Sequence, residues 1–333
     1  MTDSIQFITK IEIKNLWDRY DLVWHLDRDV NILSGINGSG KSTVLNFVAK
    51  LMIEGIADES LKDLIDILSI TFSDKQFITF VNVINLEKQS GTNNEYRKVI
   101  EVIKKSQSID YDKALAGKSD VFVASNEINI NDIKSNFSCN LISTFDKPLK
   151  IDISFNEKLK TELDKDIYLL QKQYLDYQLN IGKKAFEIVS KSNGSNSMQA
   201  VLDIKKQQER FLEIMDSLFH DTDKKIDRTK NEIAFICGDK TLSPYQLSSG
   251  EKQILVILLT VLIQNNKASI LFMDEPEISL HFDWQKKLIQ YIKELNPNVQ
   301  IILATHSPAL VMEGWLDKVF EISDLITLDR KAK

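Results

Sequence analysis

The chain contains little cysteine, histidine, glycine or proline. Its 333 residues include 2 cysteines, 4 histidines, 11 glycines and 5 prolines. Cys139 and Cys237 are far apart and the histidines are scattered, so the ligand spacing of a structural zinc site is missing. Two isolated cysteines do not make a disulfide framework either, which favours reduced thiols in a cytoplasmic protein.

Long apolar runs are also missing. The strongest one, Ile254 to Ile263, is too short to span a bilayer. The first residues form neither a basic leader nor the apolar core of a secretion signal. We therefore expect a cytoplasmic protein with no membrane partner. A net charge of -6 gives no overall reason to bind nucleic acid, although it does not exclude a local basic face.

A glycine-rich segment near the N terminus has the pattern of a phosphate loop. Residues Gly35 to Thr43 follow the apolar strand Val30 to Leu33, and helical spacing of apolar residues continues from Lys41 to Met52. The glycines let backbone N–H groups curl around phosphates. Lys41 would reach the β- and γ-phosphate oxygens, and the Ser42 hydroxyl would ligate Mg²⁺. The residues expected to bind the nucleotide are Asn37, Gly38, Ser39, Gly40, Lys41, Ser42 and Thr43.

Two later apolar strands end in polar side chains. The first leads into Asp274 and Glu275, and the second leads to His306. Open parallel sheets place ligands at the carboxyl ends of their strands. We expect Asp274 to hold Mg²⁺, Glu275 to polarise the attacking water and His306 to stabilise charge on the γ-phosphate. Without the phosphate loop, the acids would rather indicate a helix cap and the histidine a structural residue.

Residues Leu247 to Gln253, the signature segment, form a second candidate anion site. This turn opens an apolar helix from about 249 to 265, and a helix N terminus carries unpaired N–H groups and partial positive charge. In their order, the four motifs resemble those of ATP-binding-cassette (ABC) ATPases, in which this segment closes over the ATP of a second subunit. The resemblance implies that four residues contact the partner's nucleotide in a homodimer: Ser248, Ser249, Gly250 and Glu251.

The middle of the chain has a different character. Apolar residues at spacings of three and four run from Leu159 to Ile188 and again from Val201 to Leu218. They predict two antiparallel helices joined by a polar tip, the first reaching about 50 Å. The spacing is compatible both with a projecting arm and with a pair lying flat on the body. Between 67 and 145, short strands are predicted, for example Phe77 to Ile84 and Tyr96 to Ile103.

These patterns predict an α/β protein with the phosphate-loop fold of an ABC ATPase. A mostly parallel sheet would be flanked by helices and joined by an antiparallel β subdomain, with an inserted helical, coiled-coil-like hairpin. The expected division is 1–155 for the N-terminal part of the ATPase head, 156–232 for the insertion and 233–333 for the C-terminal part of the head.

Three details resemble the SMC/RecF branch, and within it the AAA-annotated, overcoming-lysogenization-defect type of ATPase from bacterial anti-phage systems. The helix after the signature segment lacks the arginine of transporter cassettes, the loop from Glu277 ends in His281 rather than aspartate, and the insertion is helical. The phrases Asp-Glu-Pro-Glu-Ile-Ser-Leu-His and Ala-Thr-His-Ser-Pro are typical of that group. Many relatives continue into a Toprim nuclease domain, but only 27 residues follow His306. Any nuclease or toxin activity is therefore expected in a separate polypeptide.

The sequence thus predicts a Mg²⁺-dependent ATPase that forms a nucleotide-sandwich homodimer and controls a partner effector in anti-phage defence. One alternative is a RecF/SMC-like ATPase for DNA repair or tethering. It would contact DNA through lysines of the helical arms such as Lys183, Lys184 and Lys224. A transporter nucleotide-binding subunit is a further alternative. The family's Q-loop glutamine is not fixed, and Gln76 and Gln89 are its candidates.

Overall fold

The computed structural model describes residues 7–54, 64–91, 93–105, 121–124, 138–143, 159–191 and 196–331. The elements of the first half are β1 (Ile8–Leu16), β2 (Tyr20–His25), β3 (Val30–Ser34), α1 (Lys41–Glu54), β4 (Ile67–Phe72), β5 (Phe77–Val81), α2 (Val83–Gln89), α3 (Asn94–Lys105), β6 (Val121–Ala124) and β7 (Ser138–Ser143). Those of the second half are α4 (Glu162–Lys191), α5 (Asn196–Leu218), β8 (Lys224–Ile226), β9 (Phe235–Cys237), β10 (Lys240–Leu242), α6 (Ser249–Ile263), β11 (Ser269–Asp274), α7 (Phe282–Leu295), β12 (Val299–Ala304), β13 (Val319–Glu321) and β14 (Ile326–Asp329).

A five-stranded parallel sheet positions the candidate site. Its strand order is β13-β3-β12-β11-β7, and every residue of the two central strands, β11 and β12, is buried. Asp274 at the end of β11 pairs with Ala304 at the end of β12, which pairs with Leu33 near the end of β3. Because all these strands run in the same direction, the segments that follow them meet at one edge of the sheet.

A second, antiparallel sheet covers the phosphate-loop helix. Its order is β14-β2-β1-β4-β5-β6, and its inner face shares one apolar core with α1 and with one face of the parallel sheet. A separate core on the other face of the parallel sheet contains α6, α7 and the bases of α4 and α5. Two sheets with flanking helices confirm the predicted α/β class.

One predicted strand is wrong. Residues 96 to 103 lie within the helix α3, whose buried side chains Tyr96, Ile100 and Ile103 recur at spacings of four and three. Asn93 accepts hydrogen bonds from the backbone N–H groups of Glu95 and Tyr96 at the start of the helix. The β-branched residues suggested a strand, but helical spacing and a capping asparagine determine the structure.

The helices α4 and α5 form the predicted antiparallel hairpin. At its base, α4 buries a stripe that ends at Ile181 and packs against α5 and α6. Beyond that point four apolar side chains are more than half exposed: Phe186, Val189, Met198 and Leu202. The projecting arm and the pair lying flat on the body are therefore each partly right. The base of the hairpin lies on the body, and its far end is exposed.

A small antiparallel sheet, β10-β9-β8, follows the hairpin. It pairs residues on both sides of the proposed boundary at 232, so the second leg of the hairpin continues directly into the head. In the part of the chain that the structure describes, no helix has the length and apolar character needed to cross a membrane.

Candidate active site

The phosphate loop connects β3 to α1 with three glycines at positive φ: Gly35, Gly38 and Gly40. At Gly40, φ is +97°, and an added Cβ would overlap the indole ring of Trp17. Only glycine fits both the backbone conformation and this close contact. The loop therefore has the shape predicted for it, and it begins α1 at Lys41.

Lys41 points into the loop. Its Nζ donates to the carbonyl oxygens of Gly35 at 3.0 Å and Ile36 at 3.2 Å, and it lies 2.7 Å from Nε2 of His306. Because an ammonium group has no lone pair, the imidazole nitrogen is the acceptor in this contact. Burial lowers the pKa of Lys41, while the negative charges of Glu275 and Asp274 oppose that shift. The Lys41 ammonium group thus lies where the oxygens of a bound phosphate would be stronger partners than the carbonyl oxygens and the imidazole nitrogen.

The two predicted carboxylates lie beside the phosphate loop, at the end of β11. Asp274 Oδ2 accepts a hydrogen bond at 3.1 Å from Asn46, whose amide also donates to the Ser42 carbonyl oxygen at 2.7 Å. Glu275 has a φ of +48°, and its Oε1 lies 3.6 Å from Nε2 of His306. A positive φ at a glutamate is uncommon, and such strain is concentrated at functional sites. The structure therefore brings Ser42, Asp274, Glu275 and His306 together.

Glu277 is a part of the site that the sequence analysis missed. Its Oε1 accepts from the Thr305 hydroxyl at 2.5 Å and from the backbone N–H groups of His306 at 2.9 Å and Ser307 at 3.1 Å. The Ser307 hydroxyl in turn donates to Gln285 at 2.7 Å. One carboxylate thus fixes the loop that carries His306. The repeated Glu of Asp-Glu-Pro-Glu was the available signal, since a second acid beside the end of a buried strand needs hydrogen-bond donors nearby.

Trp17 was also missed. It lies in the turn between β1 and β2, where Trp17 and Asp18 have positive φ, as does Asn15 near the end of β1. Its ring and the phosphate loop line a cavity of about 600 Å³, together with Glu275 and His306. This volume is in the usual range of small-molecule sites. A tryptophan in a left-handed turn is thus packed against the phosphate loop at the wall of the cavity.

The signature segment lies apart from this cavity. None of its residues lines it in the described part of the chain, and both Ser248 and Ser249 are exposed at the start of α6. Ser248 caps the helix by accepting from the backbone N–H of Glu251. Gly250 is buried, and an added Cβ there would overlap the carbonyl oxygen of Ser279. The serines are thus presented outward, while the glycine serves packing within the chain.

Glu251 differs from its expected position. The residue is only 4% exposed, and its carboxylate is held by Ser248 and Lys224 within the chain. Burial opposes its ionisation, but the hydrogen bonds from Lys224 and Ser248 outweigh this effect and lower its pKa. A buried, paired anion at this position supports the serines and does not present itself to a phosphate.

The Q-loop candidates do not reach the cavity. Gln76 lies in the turn between β4 and β5, and Gln89 donates to Asp66 at 3.2 Å. His281 caps α7 through a hydrogen bond from the backbone N–H of Asp283. Among the described residues, no group of three or more histidine, cysteine or acidic side chains is arranged to hold a metal ion. A metal here would instead need oxygen ligands from Ser42 and Asp274, with water and phosphate completing the set.

A phosphate loop, a carboxylate pair and a histidine at one edge of a parallel sheet define the head of a phosphate-loop ATPase. Residues 30–313 match the family described as "AAA domain, putative AbiEii toxin, Type IV TA system", and the chain belongs to this family.

The curated relatives include two retron proteins. The chain is 28% identical over 171 residues to the "Retron Vc95 probable ATPase" of Vibrio cholerae serotype O1 biovar El Tor. The aligned region covers 47% of this chain and 33% of that protein. It is 33% identical over 95 residues to the "Retron Ec83 probable ATPase" of Escherichia coli. This aligned region covers 25% of this chain and 18% of that protein. The chain thus spans a third or less of the length of these relatives. A shorter match, 36% identical over 53 residues, is to the "Septu protein PtuA" of Bacillus thuringiensis and covers 16% of this chain and 13% of that protein.

Solved structures with the same fold include SMC heads. An SMC head bound to the C-winged helix domain of ScpA has a TM-score of 0.54 at 16% identity, with 92% of this chain and 91% of that chain covered. The fold expected from the motifs is thereby confirmed, and these likenesses concern the fold alone.

Proposed function

We propose that this protein is a Mg²⁺-dependent ATPase whose two nucleotides bind between head-to-tail subunits, and that it controls a separate effector in bacterial defence. One observation carries the proposal. The cavity at the phosphate loop holds Lys41, Glu275 and His306, while the helix end with Ser248 and Ser249 is exposed elsewhere on the chain. An exposed, capped helix N terminus suits a phosphate brought by another molecule. A second copy of this chain supplies that phosphate.

The residues at the phosphate loop fit a bound Mg²⁺. Asn46 bonds both the Ser42 carbonyl and Asp274, which holds the serine and the carboxylate side by side. When bound, the ion would neutralise charge on the β- and γ-phosphates. Lys41 would bind the phosphates, Glu275 would orient and deprotonate water, and His306 would donate to the γ-phosphate. The Glu277 carboxylate keeps the His306 loop in place for that contact.

The relatives support a role in defence through a partner. Two of them are named as retron ATPases and one as a Septu protein. The exposed far end of the hairpin is a surface on which an effector could be held. DNA tethering is less well supported, because Lys224, one of the candidate DNA contacts, is paired with Glu251 at 2.8 Å. The other arm lysines lie among acids such as Glu187 and Asp203 on a solvated helix face.

The direct test is to measure hydrolysis and mass together. We expect the purified 38.2 kDa chain to release phosphate from ATP only with Mg²⁺, and to change from monomer to dimer by light scattering when ATP is added. Hydrolysis at full rate by a species that stays monomeric at every protein concentration would contradict the sandwich. No hydrolysis and no ATP binding would contradict the ATPase itself.

The position of Trp17 gives a separate prediction. We expect Trp17→Ala to weaken ATP binding about tenfold, since an aromatic–base stack contributes on the order of 1–3 kcal/mol. Calorimetric titration with a non-hydrolysable ATP analogue measures the change. Trp17→Phe keeps a ring and should retain most of the affinity. Trp315→Ala is the control for the loss of a tryptophan at a distant position in the sequence. If Trp17→Ala binds the analogue as tightly as the unmodified protein does, Trp17 has no stacking role.

A further inference from the structure

Two adjacent residues of the signature segment connect it to the two legs of the hairpin. Glu251 and Lys252 lie in the first turn of α6 and are 4% and 9% exposed. Lys252 forms an ion pair with Asp164 of α4, the first leg, and Glu251 forms one with Lys224 of β8, shortly after the second leg ends. No motif required this arrangement, and the nucleotide-binding role of Glu251 predicted from sequence does not explain it.

Lys252 holds the first leg. Its Nζ donates to Asp164 Oδ1 at 2.8 Å. The other oxygen of Asp164 accepts from the backbone N–H groups of Lys160 at 3.0 Å and Thr161 at 3.2 Å, at the point where α4 begins. The same carboxylate therefore fixes the start of the leg and binds the signature helix. The pair lies on the wall of a cavity of about 820 Å³.

Glu251 holds the segment that follows the second leg. Its Oε1 accepts from Lys224 Nζ at 2.8 Å and from the Thr222 hydroxyl at 3.2 Å, and both residues follow the end of α5. Its Oε2 accepts from the backbone N–H and the hydroxyl of Ser248, each at 3.0 Å. One carboxylate thus contacts both the exposed signature serine and the segment that follows the second leg of the hairpin.

We infer that Glu251 and Lys252 are positioning residues that transmit the position of the signature serines to both legs of the hairpin. This inference rests on the proposed function, in which the partner's ATP fixes Ser248. A shift of Ser248 moves the start of α6. The Glu251 carboxylate and the Lys252 ammonium group move with it, and the legs follow these two groups. Buried ion pairs are not replaced by water at low cost, so the legs move with the helix. Anchoring both legs, rather than one, turns a shift of the helix into a tilt of the hairpin.

The hairpin has another anchor that supplies a matched control. Arg210 of α5 bonds Glu294 of α7 at 2.8 Å, and neither residue contacts the signature segment in the described part of the chain. Removal of this ion pair should weaken the attachment of the hairpin without breaking the connection to Ser248.

The test measures the hairpin directly. Spin labels are placed at Phe186→Cys and Leu316→Cys, two exposed positions at the far end of the hairpin and on the head, with Cys139 and Cys237 replaced by alanine. A Glu275→Gln background holds ATP, and excess unlabelled protein keeps the measured distance within one subunit. We expect ATP to shift this distance. Lys224→Gln and Lys252→Gln should each lose the shift, while Lys224→Arg and Arg210→Gln should retain it.

The outcomes separate the two proposals. If the parent neither binds ATP nor dimerises, the proposed function fails. If it binds ATP and dimerises but the label distance does not change, or if Lys224→Gln and Lys252→Gln keep the full shift, the relay is overturned and the ATPase remains. Thr222→Val keeps the side-chain volume and removes the hydroxyl that donates to Glu251 Oε1 and to the Phe219 carbonyl oxygen. A reduced shift in this variant supports the relay should the lysine variants fail to fold. An unchanged shift in a folded Thr222→Val variant, with the lysine variants unfolded, counts against it.

Discussion

Glu275→Gln is expected to slow ATP hydrolysis about 10²–10⁴-fold, the range that a positioned general base contributes. The change keeps the size of the side chain and its position at the end of β11, 3.6 Å from His306, but removes the ability to take a proton from water. Lys41 and the phosphate loop are unaffected, so ATP should still bind. The trapped nucleotide should hold the subunits together, which single-turnover phosphate release and light scattering can measure on the same sample.

Glu313→Gln is the matched control. It makes the same chemical change at an exposed residue that does not line the cavity. We expect its hydrolysis to stay near that of the unmodified protein. A Glu275→Gln variant that hydrolyses ATP at the normal rate would show that the base is another group.

Two inactive variants should restore activity when they are mixed. Ser249→Arg places a large cation on the exposed end of α6, and Lys41→Ala removes the phosphate-binding ammonium; each homodimer then has no working site. In a mixed dimer, the phosphate loop of the Ser249→Arg subunit faces the intact signature segment of the other subunit. Random pairing gives half mixed dimers with one of two sites complete, so up to about a quarter of normal activity should return, and less to the extent that the two sites act cooperatively.

The control for this experiment mixes two variants with defects in the same half of the site. Lys41→Ala with Glu275→Gln leaves every composite site with one defect, so activity should not return above that of the Glu275→Gln homodimer. Recovery in neither mixture, with mixed dimers demonstrated by mass, would mean that each chain hydrolyses ATP without the signature segment of another.

The parts of the site that follow directly from local sequence were predictable. Strand, glycine loop and helix in a fixed order placed Lys41, and apolar strands ending in acids placed Asp274 and Glu275, because parallel strands bring their ends together. Trp17 was not predictable from such patterns, since its role depends on the pairing of β1 with β2 and on a left-handed turn. Glu277 and Glu251 depend on partners 28 and 27 residues away, Thr305 and Lys224, which spacing does not reveal.

The same limit explains the misassigned segment and the hairpin. Residues 96 to 103 contain β-branched side chains, but their burial against α2 follows a helical period. For the hairpin, the apolar series from Leu159 to Ile188 is continuous in sequence, whereas its burial ends at Ile181 because the body provides no further surface. Which part of an amphipathic stripe finds a partner is a property of the whole fold.

The contact between Gly250 and the Ser279 carbonyl has a consequence for the dimer as a whole. In the proposed assembly, Ser249 serves the nucleotide of the neighbour, while Glu275, four residues before Ser279, serves the chain's own. Since only glycine lets these two backbones lie this close, neither segment can move toward the other without displacing it. The two ATP molecules should then bind cooperatively. Occupancy of one site sets the geometry of the second, so the response of the dimer should rise more steeply with ATP concentration than that of a single site.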